Sequence, residues 1–101
     1  MSDLLSWFAA QTAGAPATLV ARAHEYLVAS PATLSPPERL RAAAESALDA
    51  AIAGGTERRA AVDLLAADAL ITLALLQVAT TQPARLGDAA RQLRHAVGEA
   101  R

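Results

Sequence analysis

The stretch AAVDLLAADALITLALLQVA, residues 60–79, constrains this chain more than any other part of it. Placed about 100° apart around a helix axis, Leu64, Leu65, Leu70, Ile71, Leu73, Leu75, Leu76 and Val78 point in nearly every direction. A helix that is apolar all round belongs in a core. It therefore needs neighbours on every side, supplied by the same chain or by a second copy. The helix is expected over about residues 56–80, roughly 37 Å at 1.5 Å per residue. A chain of 101 residues has limited surface with which to wrap it. Two-fold homodimers are the commonest symmetric assembly, and that shortfall points toward one.

The run also carries Asp63 and Asp68, which argue against a membrane span. Such a span needs about 18 or more apolar residues free of charge. Here two carboxylates interrupt the run and TTQP closes it. The opening MSDLLSWFAA lacks the basic and long apolar regions of a secretory signal, so a cytoplasmic protein is expected. Nine arginines against ten acids leave a net charge of −1, which supplies no field to hold nucleic acid or an anionic membrane. Lysine, asparagine and cysteine are absent and alanine occurs twenty-eight times, a bias that reads as the codon usage of a GC-rich bacterial genome. Alanine content by itself is thus no sign of a special role. Without cysteine there is no disulfide and no thiolate nucleophile or ligand.

Local punctuation divides the chain into five helices and one domain, residues 1–101. Ser2 and Asp3 start the first helix, which runs to about Thr12, and AGAP ends it. Pro16 suits the first turn of a second helix ending near Ala29. Ser35, Pro36, Pro37 and Glu38 have the S-x-x-E spacing of a capping box opening a third helix. That helix reaches Ala53, where Gly54 and Gly55 provide a C-cap. The fourth helix follows Thr56 and Glu57, and a fifth runs from Thr81–Pro83 to near Gly98. No segment alternates at period two with β-branched enrichment, so no strands are expected. The fold class is all-α: a compact bundle of about five helices around the central hydrophobic one.

Three groups of residues are candidates for function. Asp68 falls among Leu64, Ile71 and Leu75, so it is expected to be a buried carboxylate that needs a partner, and Thr72 lies one turn on. Asp63, with Ala67, Ala74 and Gln77 on its side, is expected at the solvent edge. His24 shares an arc with Val20 and Val28, and a contact with Asp68 would make a pH-sensitive pair. Leu4, Leu5, Trp7 and Phe8 hold two of the three aromatic residues and are candidate interface anchors. His95 stands with Arg85, Arg91 and Arg94 on a face diluted by Asp88 and Glu99, which reads as solvated surface.

No H-E-x-x-H or E-x-x-H presents metal ligands, no glycine-rich loop cradles phosphate, and no serine sits in an elbow motif. No cofactor, metal or catalytic residue is expected, and the balance leans against an enzyme. The leading expectation is an interaction or assembly module that binds itself or another protein, with no nucleic-acid or membrane partner. Two alternatives remain: a ligand-binding or catalytic bundle whose apolar pocket is polarised by Asp68 and His24, and a regulatory or antitoxin-like subunit of a larger complex.

Overall fold

A computed structural model describes residues 3–99. Within it the chain forms α1 (Asp3–Gln11), α2 (Ala17–Ala29), α3 (Pro36–Gly54), α4 (Arg58–Thr81) and α5 (Leu86–Glu99), with a single 3₁₀ turn at Pro83–Arg85 before α5. It is a small all-α bundle, with no strand among the described residues.

The helix ends follow from local chemistry. Asp3 places a negative charge in the first turn of α1, where the helix dipole favours it. Gly14 takes a positive φ of 88° in the turn that follows, a conformation glycine adopts at no steric cost. Ser35 caps α3 with Pro36 at its first position, and its hydroxyl donates to the Glu38 carboxylate at 3.1 Å. The capping-box residues thus meet side chain to side chain, not through the backbone. Pro36 and Pro37 have no N–H, so two of the four orphan donors at the start of α3 are missing.

The most extensive pairing is the α3–α4 hairpin, which turns through Gly54 and Gly55. Gly55 has a φ of 60°, and a Cβ on Gly54 would stand 2.8 Å from the Ala60 Cβ. The facing stripes are made mostly of small residues: Leu40, Ala43, Ala44 and Ala47 on α3, and Ala60, Ala66, Ala67 and Ala74 on α4. Short side chains let the two axes approach closely. Phe8, Leu27, Leu40 and Leu70 are the largest fully buried side chains, each contributing roughly 1.5–3 kcal/mol of transfer free energy.

This packing corrects the expectation that α4 is enclosed on every side. The helix contacts α2, α3 and α5, yet Leu64 and Leu65 are 53% and 57% exposed, and Leu76 lies at the edge of exposure. Ala60, Ala66, Ala67 and Ala74 share the inward face with Leu70, Leu73 and Val78, and Leu64, Leu65 and Leu76 are left pointing outward. By length and composition α4 could cross a membrane, and 44% of its most apolar window is buried inside the fold.

Candidate functional site

The two acids of α4 exchange the places expected of them. Asp63 is the buried one, at 3% exposure, and Asp68 is exposed. Five residues separate them, about 140° around the axis at 3.6 residues per turn, so one helix face cannot hold both. Asp63 points to α2, where Tyr26 donates its hydroxyl to Oδ1 at 2.9 Å and the Arg22 guanidinium lies 3.3 Å from the same oxygen. Burial pushes the Tyr26 phenol above its ordinary value, and the hydrogen bond and charge of Asp63 act in the same direction; Arg22 acts against them. This arrangement satisfies a buried carboxylate and joins α2 to α4. It offers no free acid or base.

Asp68 and Thr72 are both exposed, and the Thr72 hydroxyl donates to the Asp68 main-chain carbonyl at 2.9 Å, not to its carboxylate. His24 is exposed as well, and its ring stands 6.1 Å from that of Phe8 on α1. No hydrogen bond or ion pair joins His24 to Asp68 among the described residues. The expected buried site of Asp68, His24 and Thr72 is therefore not assembled. α2 meets α4 through Arg22 and Tyr26 at Asp63, and Asp68 faces away from that contact.

Of the four residues singled out in α1, Leu4 and Phe8 are buried in the core of their own chain. Their i, i+4 spacing puts both on one face. They are consumed by the fold and are not free as interface anchors. Leu5 and Trp7 are half-buried against the same core.

Sequence reasoning missed two polar contacts. Arg39 is buried and reaches from α3 to the end of α2, where Nε donates to Ser30 Oγ at 3.1 Å and Nη2 to the Leu27 carbonyl at 3.0 Å. Its charge meets the negative end of the α2 dipole. The signal was its i, i+4, i+8 register with Ala43 and Ala47, which sets an arginine on the buried stripe. Arg22 and Tyr26 likewise stand one turn apart beside the buried Ala23 and Leu27.

Two clefts flank α5. One, of ≈310 Å³, opens where the start of α3 meets the ends of α4 and α5, over a floor of Ala74, Val78 and Leu93. Its rim charges are already engaged: Glu38 with Ser35, Arg41 with Glu45 at 2.6 Å, and Asp88 with Arg91. The other is an open groove between α4 and α5, lined by Ile71, Leu75, Ala90, Leu93 and Val97. Leu93 is the one buried residue of α5 among those described, so the apolar side of that helix is only partly covered. Leu75 belongs both to this groove and to the outward side of α4, whose exposed leucines continue the apolar surface.

The candidate site is thus the outer face of α4, apolar at both ends with Asp68 and Thr72 in the middle. Nowhere do three His, Asp or Glu side chains cluster as metal ligands among the described residues. No protein-family model matches the chain, and neither the curated proteins nor the solved structures yield a match.

Proposed function

We propose that this chain is a small helical assembly module that associates with itself, in the cytoplasm and without a cofactor. The observation that carries the reading is the outward placement of Leu64, Leu65 and Leu76 on the side of α4 away from its buried face. These leucines form two apolar areas, Leu64 with Leu65 and Leu76 with Leu75, on either side of Asp68 and Thr72, and exposed apolar surface of this kind on small soluble proteins marks interaction surfaces. The groove beside α5 extends the second of them. The reading in which Asp68 and His24 polarise a pocket loses its geometry, since neither lines either cleft. Sedimentation equilibrium over about 1 μM to 1 mM tests the proposal. The expected mass rises with concentration toward twice that of the chain; a single monomeric mass throughout refutes it and leaves the face for a different protein.

A further inference from the structure

We infer that two copies pair through the outer faces of α4, antiparallel, about a two-fold axis passing between Asp68 and Thr72. This rests on the self-assembly reading and assigns its surface and geometry. The argument is the symmetry of the outer face about the level of residue 70, on which Leu75 and Ala79 are half-buried and the other six residues exposed. Ala61 matches Ala79, Leu64 matches Leu76, Leu65 matches Leu75, and the polar Asp68 matches the polar Thr72. Each pair is equidistant from residue 70 along the chain.

Because the members of each pair are equidistant from residue 70, they also lie at equal angles on either side of the midline of the face. At about 100° per residue, Ala61 and Ala79 lie on the midline of the face; Asp68 and Thr72 fall about 20° to either side, Leu65 and Leu75 about 40°, and Leu64 and Leu76 about 60°. A half-turn about an axis normal to the face exchanges the members of every pair. A second copy laid end for end therefore sets leucine on leucine, alanine on alanine, and Asp68 beside Thr72 of the other copy. In a two-fold interface residue i of one copy meets residue j of the other and j meets i, and here that places residues of like character at the same level.

Charge favours the antiparallel arrangement, which offsets the two Asp68 carboxylates by about 6 Å along the helix axis. In a parallel in-register pair the two Asp68 carboxylates would stand at one level, and like charges so placed repel. End for end, each carboxylate faces a hydroxyl and the two acids fall on opposite sides of the axis. The stripe from Ala61 to Ala79 is about 27 Å long at 1.5 Å per residue. A helix pair of that length supplies on the order of 1,000 Å² in total, the lower limit for a specific interface. Dimerisation should therefore depend on concentration within the micromolar range.

The absence of cysteine makes the test clean. Spin labels are placed singly at Thr72→Cys and Ala61→Cys, both exposed positions, and distances between copies are measured by double electron–electron resonance and line broadening. Opposed helices put the two copies of position 72 about 6 Å apart along the axis and those of position 61 about 27 Å apart. Broadened spectra at 72 with a long distance at 61 are the expected result. Short separations at both sites overturn the antiparallel geometry. A Leu65→Glu/Leu76→Glu variant should lose dimer at least tenfold while keeping its melting temperature at low concentration, because both side chains are exposed in the monomer. A dimer that survives this variant, with no broadening at 72, places the interface elsewhere: self-assembly then stands and this inference falls. An unvarying monomer overturns both.

Discussion

Gly54→Ala sets two effects against each other, and the structure decides between them. Alanine inside a helix is favoured over glycine by about 1 kcal/mol. At Gly54, however, the added methyl would lie 2.8 Å from the Ala60 Cβ, against roughly 3.5–4.0 Å for ordinary carbon contact. The obstruction is a methyl fixed directly to the α4 backbone and has no rotamer to escape into. Relief requires one helix to move about 1 Å from the other at the tightest point of the hairpin, and overpacking of that kind costs roughly 1–3 kcal/mol. The net expectation is a loss of about 1 kcal/mol, which for a domain of this size lowers Tm by about 4–8 °C. Thermal unfolding should be followed at one low protein concentration, because association would otherwise add to apparent stability. The diagnostic experiment is a double-mutant cycle with Ala60→Gly, which removes the opposing methyl and leaves Ala60 Cα at 3.5 Å as the next neighbour. The two changes should couple by about 1–2 kcal/mol, the second rescuing the first. Gly87→Ala is the control: its new Cβ meets only Arg91 Nη1, at 3.8 Å, so the propensity gain should appear uncancelled. A Gly54→Ala protein more stable than the parent, or an additive cycle, would refute the close-approach argument.

The polar contact between α2 and α4 yields two further expectations. Asp63→Ala should cost about 2 kcal/mol in chemical denaturation by removing the acceptor for Tyr26, and Asp63→Asn should cost less because its amide oxygen still accepts; equal losses would dismiss the hydrogen bond as the cause. The Arg22 pair adds little to either figure, since its guanidinium is a third exposed and screened by water. Because burial and Asp63 hold the phenol of the sole tyrosine neutral, the native chain should form phenolate at higher pH than the denatured chain, read from the ultraviolet difference spectrum. Stability from this source is intact below about pH 10, where the unfolded phenol titrates, and is lost as pH rises through the higher native value. Tyr26→Phe should abolish that part of the alkaline decline; an unchanged slope would dismiss the linkage.

The helix boundaries were legible because they depend on residues close together in the chain. Ser35 with Pro36 and Gly54 with Gly55 act on the backbone beside them, and α3 starts and stops within a residue of those signals. α4 ends two residues before Pro83, but α5 begins only at Leu86, after the 3₁₀ turn and later than the Thr81–Pro83 start expected of it. The phase of α4 was not legible. A run with leucine on every side carries no preferred inward direction of its own, and side-chain hydrophobicity alone would turn the leucines in and regard Ala60, Ala67 and Ala74 as the weaker face. Which side faces inward depends on α2 and α3, distant in sequence, and on how near their backbones come. The errors over Asp63 and Asp68 both stem from that one undetermined rotation. The likeness between the two halves of the outer face becomes informative only once that face is known to point outward.

The buried polar contact and the exposed leucines are two results of a single constraint. Turning α4 by about 140° would bring Asp68 onto the face Asp63 now holds, about 7.5 Å further along the axis, and turn Leu64 and Leu75 toward the core. It would also carry Asp63 away from Tyr26 and Arg22, strip Ala60 from its seat against Gly54, and press longer side chains onto the alanine stripe of α3. The turn would also carry the buried Leu70 and Leu73 outward, offsetting the burial of Leu64 and Leu75, and it would lose close packing along the longest interface and leave a phenol and a guanidinium on α2 unpartnered. Asp63 thus acts as a register pin, selecting one rotation of a helix whose apolar pattern specifies none. Leu70 and Leu73 are taken into the core beside the alanines, and Leu64, Leu65 and Leu76 are left on the outer side.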